Sequence, residues 1–359
     1  MSRGTCAEVD LKALRSNYRV LKHEAPNSKV LAVVKADAYG HGLIPVAQAL
    51  SESDGFGVAI LEEAVALRRS GITQPIVLLE GVLSQEELQV AALHRIAVVV
   101  HHRQQLDFLD QVQLEVPLSI WLKFNTGMHR LGLEINELDN AMQRLRAQVN
   151  VADITLMSHF ACADEENSAM TARQFELFNT VSNQYPDLCA SLANSGGLFR
   201  DLSFHFDWVR PGIALYGCSP LQGISAEDLG LKPVMQLKSK LIALRSVAKG
   251  ESVGYGATWV ATKKTAVGIV GIGYGDGYPR HIRPGTVARV GGCKCELIGR
   301  VSMDMMAVDL SNISDARLGD DVLLWGDGLP VEHIAEAAGT INYELLCHIT
   351  HRAERRYLN

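Results

Sequence analysis

Six residues able to do chemistry occupy the same kind of place in this sequence. Lys35 closes the apolar run KVLAVVK, Lys123 lies at the end of LSIWLKF, and His159 lies at the end of DITLMSHF. Asn194 and Ser195 end CASLANS, and Arg210 ends FDWVR. Each alone has an ordinary structural explanation. A strand-end lysine reaches solvent, a lone histidine is satisfied in a core or rim, and an arginine pairs with an acid. Their joint placement raises the functional odds. An amine fixed at the end of a buried strand can form a Schiff base with an aldehyde. Ser195 offers a hydroxyl, and Gly212 and Ile213 offer backbone N–H groups at a possible helix start, where an anion is favoured. A phosphate beside a strand-end lysine points to pyridoxal phosphate.

One glycine cluster needs separate treatment. GIGYGDGYP (271–279) has glycines at 271, 273, 275 and 277. That alternation is not the GxGxxG of a dinucleotide loop, and no GxxxxGK[ST] occurs in the chain. A bulged or tightly turning β segment is the better reading.

The elements that must position these residues alternate along the first part of the chain. β-rich runs at 29–35, 55–60, 75–81, 96–102, 118–124, 153–160, 189–195 and 206–212 are mostly separated by amphipathic stretches of helical period. Ser84 with Glu87 forms a capping-box pattern, and Gly71 is a helix stop. Near-continuous apolar strands alternating with helices read as buried parallel strands. Eight such units fit a (β/α)8 barrel, whose chemistry sits at the carboxyl ends of its strands, with a phosphate commonly held by the loops after the seventh and eighth. A doubly wound open sheet is the alternative. After about residue 228 the texture changes to short β runs cut by Gly and Asp, closed by one helix near 331–339. The expected division is a barrel domain over 1–228 and a mostly β domain over 229–359.

The totals bound the rest. The chain has 359 residues, 47% of them hydrophobic and 21% charged, with a net charge of −6. That balance argues against a dedicated nucleic-acid binder, which would usually be basic. No run approaches the roughly 18 apolar residues of a membrane span, and MSRGTCAEVD lacks a signal-peptide core. A soluble, cytoplasmic protein is expected. The seven cysteines are scattered, and the one close pair, Cys293 and Cys295, is not CxxC. Free thiols in a reducing compartment are the expectation, with no metal site.

AVVKADAYGHG (32–42) resembles the cofactor-lysine signature of the bacterial alanine racemases. KFNTGMHRLG, SHFACADE, FDWVRPGIALYG, VGYGATW, GYGDGYPR, GRVSMDMMAVDL and INYELL resemble further blocks of that family, in the same order. The resemblance implies a barrel carrying pyridoxal phosphate, a C-terminal β domain, and a head-to-tail homodimer with composite active sites acting on alanine. By the same resemblance, Lys35 is the Schiff-base lysine and one of two catalytic bases, and Tyr255 is the opposing base, presented by the partner subunit. Tyr39, Ser195, Gly212, Ile213 and Tyr343 match phosphate-site positions, with Asn194 beside them among the cofactor-binding residues. Arg210 matches the residue facing the pyridine nitrogen, and His159 the one neighbouring it. Arg130 resembles an arginine near the cofactor's phenolic oxygen and the substrate carboxylate. Lys123 matches a lysine often carbamylated in the family. Met303 and Asp304 match partner-subunit residues at the substrate end. One departure stands out: many members have Asp where this chain has Asn125. Carbamylation needs a neutral amine, and one fewer negative charge nearby would favour it at Lys123.

These residue types suit racemisation. A proton must leave one face of the α-carbon and return on the other, which two bases on opposite faces achieve. A tyrosine serving as one of them must shed its proton, which a chain from Tyr255 through His159 to the fixed charge of Arg210 would favour. A guanidinium does not release its proton, so the ring nitrogen it faces stays unprotonated and transamination is suppressed. Barrel-type decarboxylases of the same cofactor resemble this architecture but carry an acidic residue where Arg210 stands. Non-catalytic carriers of the cofactor resemble the barrel alone. A racemase of broader substrate range is separated from an alanine-specific one by pocket volume. Biosynthetic supply of D-alanine for peptidoglycan and alanine catabolism both remain open.

Overall fold

The computed structural model describes residues 3–359, which form two compact units. The expectation of a single cut at 228/229 stands beside a grouping that is not contiguous in sequence. Leu14–Ala38 and Leu43–Leu231 make one unit. Tyr39–Gly42, Lys232–Asn359 and the described residues up to Ala13 make the other.

The larger unit is a closed parallel barrel. After β1 (Cys6–Asp10), which belongs to the other unit, the barrel strands are β2 (Lys29–Val33), β3 (Gly55–Val58), β4 (Ile76–Leu78), β5 (Ala97–Val100), β6 (Leu118–Lys123), β7 (Val151–Met157), β8 (Cys189–Asn194) and β9 (Trp208–Arg210). All eight expected runs are present. β2 pairs in parallel with both β3 and β9, which closes the ring. The open sheet is thereby excluded. The strands are almost wholly apolar because both faces are covered, inside by one another's side chains and outside by helices. Leu31, Val77, Val99, Trp121, Met157 and Trp208 form one packed cluster, with the two indole rings 5.7 Å apart. The barrel is therefore filled, and ligands are confined to its mouth.

Local signals set the helix boundaries. The Ser84 side chain accepts the Glu87 N–H at 3.2 Å, and the Glu87 carboxylate accepts the Leu83 N–H at 2.7 Å, fixing the start of Gln85–Leu93. Gly71, at φ +90°, follows helix Leu61–Arg69 as expected of a stop residue.

The smaller unit is built on an eight-stranded sheet in the order Thr265–Val270, Met306–Asp309, Cys293–Ile298, Val287–Val290, Asp321–Trp325, Met235–Val247, β1, Glu354–Leu358. Thr265–Val270 also pairs with Met235–Val247, joining six strands into a ring. β1 runs antiparallel to Met235–Val247 and parallel to Glu354–Leu358. The expected helix is Val331–Ala338. The reading of one helix is corrected by a second, Asn342–Cys347. It has only six residues, too few to display a 3.6-residue period.

Candidate active site

The carboxyl mouth of the barrel gathers the strand-end residues. Lys35 follows β2 by two residues. Lys123 is the last residue of β6, and Arg210 the last of β9. Lys123 and His159 both feel the charges of Arg210, Arg130 and Lys35, so five basic side chains lie within electrostatic reach of one another. Burial, reinforced by Arg210, Arg130 and Lys35 and opposed by Glu80, holds the Lys123 ammonium down to about 7. Burial and the same positive neighbours hold His159 well below the ordinary histidine value. Its imidazole is neutral at pH 7.

Arg210 is buried, with 3% of its surface exposed. Its guanidinium donates to the Ser191 hydroxyl, to the Ser158 carbonyl at 2.5 Å and to the Leu192 carbonyl at 3.2 Å. It also lies 3.3 Å from His159 Nδ1. A guanidinium has no acceptor capacity, so Nδ1 accepts and the imidazole proton sits on Nε2. Burial lowers Arg210 to about 9, so it is charged at neutral pH. Its hydrogen-bond acceptors in the barrel are neutral, which leaves a net positive charge at the mouth.

The anion end is hydroxyl and backbone. Ser195 Oγ accepts the Gly212 N–H at 2.8 Å and the Ala214 N–H at 3.5 Å. Ile213 opens the 3-10 turn Ile213–Tyr216, whose first N–H groups have no partner within the turn. The Asn194 amide oxygen is committed to the Gly197 N–H at 3.0 Å. Its side chain therefore caps the turn Ser195–Arg200 through that oxygen, which places its amide at the same end of the barrel. A hydroxyl and backbone N–H groups at one side, a guanidinium at another and an amine near them fit a phosphorylated pyridine aldehyde. In such a fit the phosphate would take the former, the ring nitrogen would accept from the guanidinium, and the aldehyde would meet the amine.

Lys35 enters a backbone turn that the sequence did not announce. Ala36, Asp37, Ala38 and Tyr39 all have φ between +52° and +54°, and Gly40 follows at +78°. This is one turn of left-handed helix. It is held by the Ala38 N–H on the Val34 carbonyl at 2.9 Å and by Asp37 Oδ1 accepting the Leu43 N–H at 2.8 Å.

Arg130 rides on the loop after β6. Asn125 organises that loop through four contacts. Its oxygen accepts the Gly127 and His129 N–H groups at 3.0 and 3.1 Å, and its amide donates to His129 Nδ1 at 2.8 Å and Glu134 Oε1 at 3.2 Å. An aspartate at 125 would set a second carboxylate against Glu134. Glu134 thus gives a physical reason for the neutral residue in this chain.

The remaining expected residues lie in the smaller unit. Tyr39 and Tyr343 have ring centroids 6.0 Å apart, and burial raises the Tyr39 phenol so that it stays a donor. Tyr255 is 67% exposed and Met303 52% exposed. Sequence reading missed Ser158, Ser191 and Gln174. Ser158 and Ser191 hold Arg210. Gln174 links the Thr126 hydroxyl to the His159 carbonyl at 3.1 and 2.9 Å. Ser191 was findable as a hydroxyl inside an apolar strand, whereas Ser158 holds Arg210 through its backbone carbonyl, which no residue type signals. Gln174 sits mid-helix and gave no signal.

A filled parallel barrel with an amine, a buried guanidinium and a hydroxyl-lined anion end at its mouth defines an enzyme built for a phosphorylated aldehyde cofactor. The family model described as the N-terminal domain of alanine racemase matches residues 9–220, and that of the C-terminal domain matches 234–357. A relative named alanine racemase from Shewanella amazonensis is 48% identical over 353 residues, covering 96% of this chain and 97% of that protein. One from Vibrio vulnificus is 48% identical over 356 residues, with 99% of each covered. The crystal structure of biosynthetic alanine racemase from Pseudomonas aeruginosa superposes with a TM-score of 0.96 at 48% identity, covering 99% of this chain and 100% of that one. The Acinetobacter baumannii enzyme gives 0.94 at 40% identity, with the same coverage. The chain belongs to the alanine racemase family, whose cofactor is pyridoxal phosphate.

Proposed function

We propose that this chain interconverts L- and D-alanine as a pyridoxal-phosphate-dependent isomerase. The observation that carries the reading is Arg210. A buried guanidinium at the place proposed for the ring nitrogen is the opposite of the acid expected in a barrel decarboxylase. Bound pyridoxal phosphate supplies the electron sink that makes the α-proton of alanine removable. Lys35 anchors it and moves the proton on one face. Ser195, Gly212 and Ile213 hold its phosphate, with Tyr39 and Tyr343 as hydroxyl donors. Arg210 donates to its ring nitrogen and, through His159, lends positive character to the tyrosine side. Tyr255 moves the proton on the opposite face. Arg130 meets the substrate carboxylate, and Met303 and Asp304 border the substrate end.

Lys123 is the carbamate carrier in this reading. An amine held near 7 is substantially neutral in the cell. It can add carbon dioxide, releasing one proton and leaving an anion among Arg210, Arg130 and Lys35. Mass spectrometry of protein in bicarbonate should find one added carbon dioxide at Lys123. Its absence counts against the carbamate.

The working form is a homodimer in which Tyr255, Met303 and Asp304 serve the second copy's site, which the exposure of Tyr255 and Met303 supports. Among the described residues no helix is long and apolar enough to cross a membrane. Among the described residues no disulfide joins the seven cysteines, which supports a reducing, cytoplasmic setting. The first test incubates the purified protein and pyridoxal phosphate with L-alanine and quantifies D-alanine, pyruvate and carbon dioxide. D-alanine as the main product is expected. Carbon dioxide without D-alanine would overturn the reading. For the shared site, Lys35→Ala and Tyr255→Ala should each be inactive. Mixed with subunit exchange, they should regain up to about a quarter of wild-type activity, because half the dimers then hold one intact site of two. No regain would mean that each chain supplies its own tyrosine.

A further inference from the structure

The alternating glycines of 271–277 have a purpose that the nucleotide-loop comparison does not supply. Gly273 and Gly275 let one backbone lie directly on another. A Cβ on Gly273 would stand 2.2 Å from the Ser302 carbonyl oxygen. One on Gly275 would stand 2.5 Å from an Arg352 nitrogen and 3.0 Å from the Met303 carbonyl oxygen. The contact is hydrogen-bonded: the Tyr274 N–H donates to Ser302 O at 3.1 Å, and the Gly275 N–H to Met303 O at 2.8 Å. Gly277, at φ +105°, approaches the opposite side, where its Cβ would stand 2.3 Å from the His348 carbonyl oxygen. Thr350 donates there through its N–H to Asp276 O and through its hydroxyl to Gly275 O, each at 3.1 Å.

At the centre of this clasp is a fully buried carboxylate, Asp276. Its oxygens take Arg3 at 2.9 and 3.3 Å, Arg352 Nε at 3.1 Å and the Gly273 N–H at 3.0 Å. Both arginines continue to Asp304. Arg352 donates to its carboxylate at 2.5 Å, and Arg3 to its backbone carbonyl at 3.4 Å. A buried charge is costly unless it is fully paired. Here it is paired twice, on behalf of a 302–305 turn whose Met303 side chain is exposed. A fold staple alone does not call for both arginines to reach forward to the same surface residue.

We infer that Asp276, acting through Arg352, is a positioning residue that fixes the 302–305 turn and so sets where Met303 and Asp304 stand against substrate. This rests on the proposed substrate-end role of those two residues. The test uses Arg352→Gln, which keeps the Asp276–Arg3 pair and so preserves the fold, together with Asp276→Asn and the conservative Arg352→Lys. Hydrogen exchange in the holoenzyme should show lost protection at 273–276 and 302–306 in Arg352→Gln, with the barrel unchanged. The KM for both alanine enantiomers should rise about tenfold while kcat stays within about twofold. Cofactor affinity should not move. Arg352→Lys should recover part of the KM. Unchanged exchange at 302–306 would overturn the clasp whatever the activity. Lost protection with unchanged KM in an active enzyme, or a parallel fall of kcat, cofactor affinity and thermal midpoint, would reduce it to a structural staple. If the wild type does not racemise alanine, the functional reading fails and the substrate role falls with it. The exchange data still judge the clasp separately.

Discussion

Arg210 concentrates the chemistry of the barrel mouth in one side chain. Its donors are spread over Ser191, Ser158, Leu192 and His159, so its plane is fixed before any ligand arrives. A lysine could supply the charge but not the planar fork. The proposed role follows from what a guanidinium withholds, because it would give no proton to the ring nitrogen. Arg210→Glu should therefore raise the ratio of pyruvate to D-alanine by about tenfold or more, equivalent to ~1.4 kcal/mol between the two protonation outcomes. Arg210→Lys should leave that ratio near the wild-type value while lowering the overall rate. Measuring both products per bound cofactor removes any effect of partial unfolding. An unchanged ratio in the glutamate variant would show that Arg210 governs rate or folding and not reaction fidelity.

The left-handed turn after β2 shows how a short element can be both costly and informative. A non-glycine residue in that conformation costs roughly 1–2 kcal/mol relative to the right-handed form, and here four stand in a row. The strain is held by bonds from Asp37 and Ala38, and the turn runs from the residue after Lys35 to Tyr39, its last member. Ala36 is exposed, so its substitution tests backbone alone. Ala36→Gly should raise stability by about 1 kcal/mol, and Ala36→Val should lower it by at least as much, read as shifts in a urea midpoint. The opposite order would place this turn outside the left-handed region in solution. Nothing in KADAY signals such a turn, since alanine and tyrosine have no preference for it. The turn is imposed by tertiary contacts, and Gly40 alone could have hinted at it. The barrel strands, by contrast, were legible because burial on both faces leaves an uninterrupted apolar run that local pattern reveals. Helix Leu11–Glu24 and helix Asn342–Cys347 escaped notice, the latter because six residues carry no period. Asn125 was visible as a departure, but its reason, Glu134 nine residues on, needed the folded loop.

Across the whole molecule a net charge of −6 coexists with a mouth where Lys35, Lys123, Arg130 and Arg210 face one another. Such a cluster makes stability depend on pH, and Lys123 carries the dependence. Its ordinary value of 10.5 falls to about 7 through burial and then its positive neighbours. In the unfolded chain the amine therefore holds its proton up to a higher pH than in the folded one. Between these values unfolding takes up a proton, so stability rises with pH across that window. At pH 7 and below the cost is fully present, on the order of 5 kcal/mol. It falls away as the pH rises and is gone only above the ordinary value of 10.5. Lys123→Met keeps the volume and removes the titration. The apo variant should melt well above the apo wild type near pH 7 in carbon-dioxide-free buffer, and the gap should narrow steadily as the pH rises toward 10.5. A gap independent of pH would mean that the amine is solvated and charged in the folded protein. Bicarbonate should then stabilise the wild type and leave the methionine variant unmoved, because only a neutral amine binds carbon dioxide and only the folded state holds that amine neutral near pH 7. Equal responses of the two proteins would separate the depressed amine from carbamate formation and leave the cationic mouth to be balanced by the bound cofactor alone.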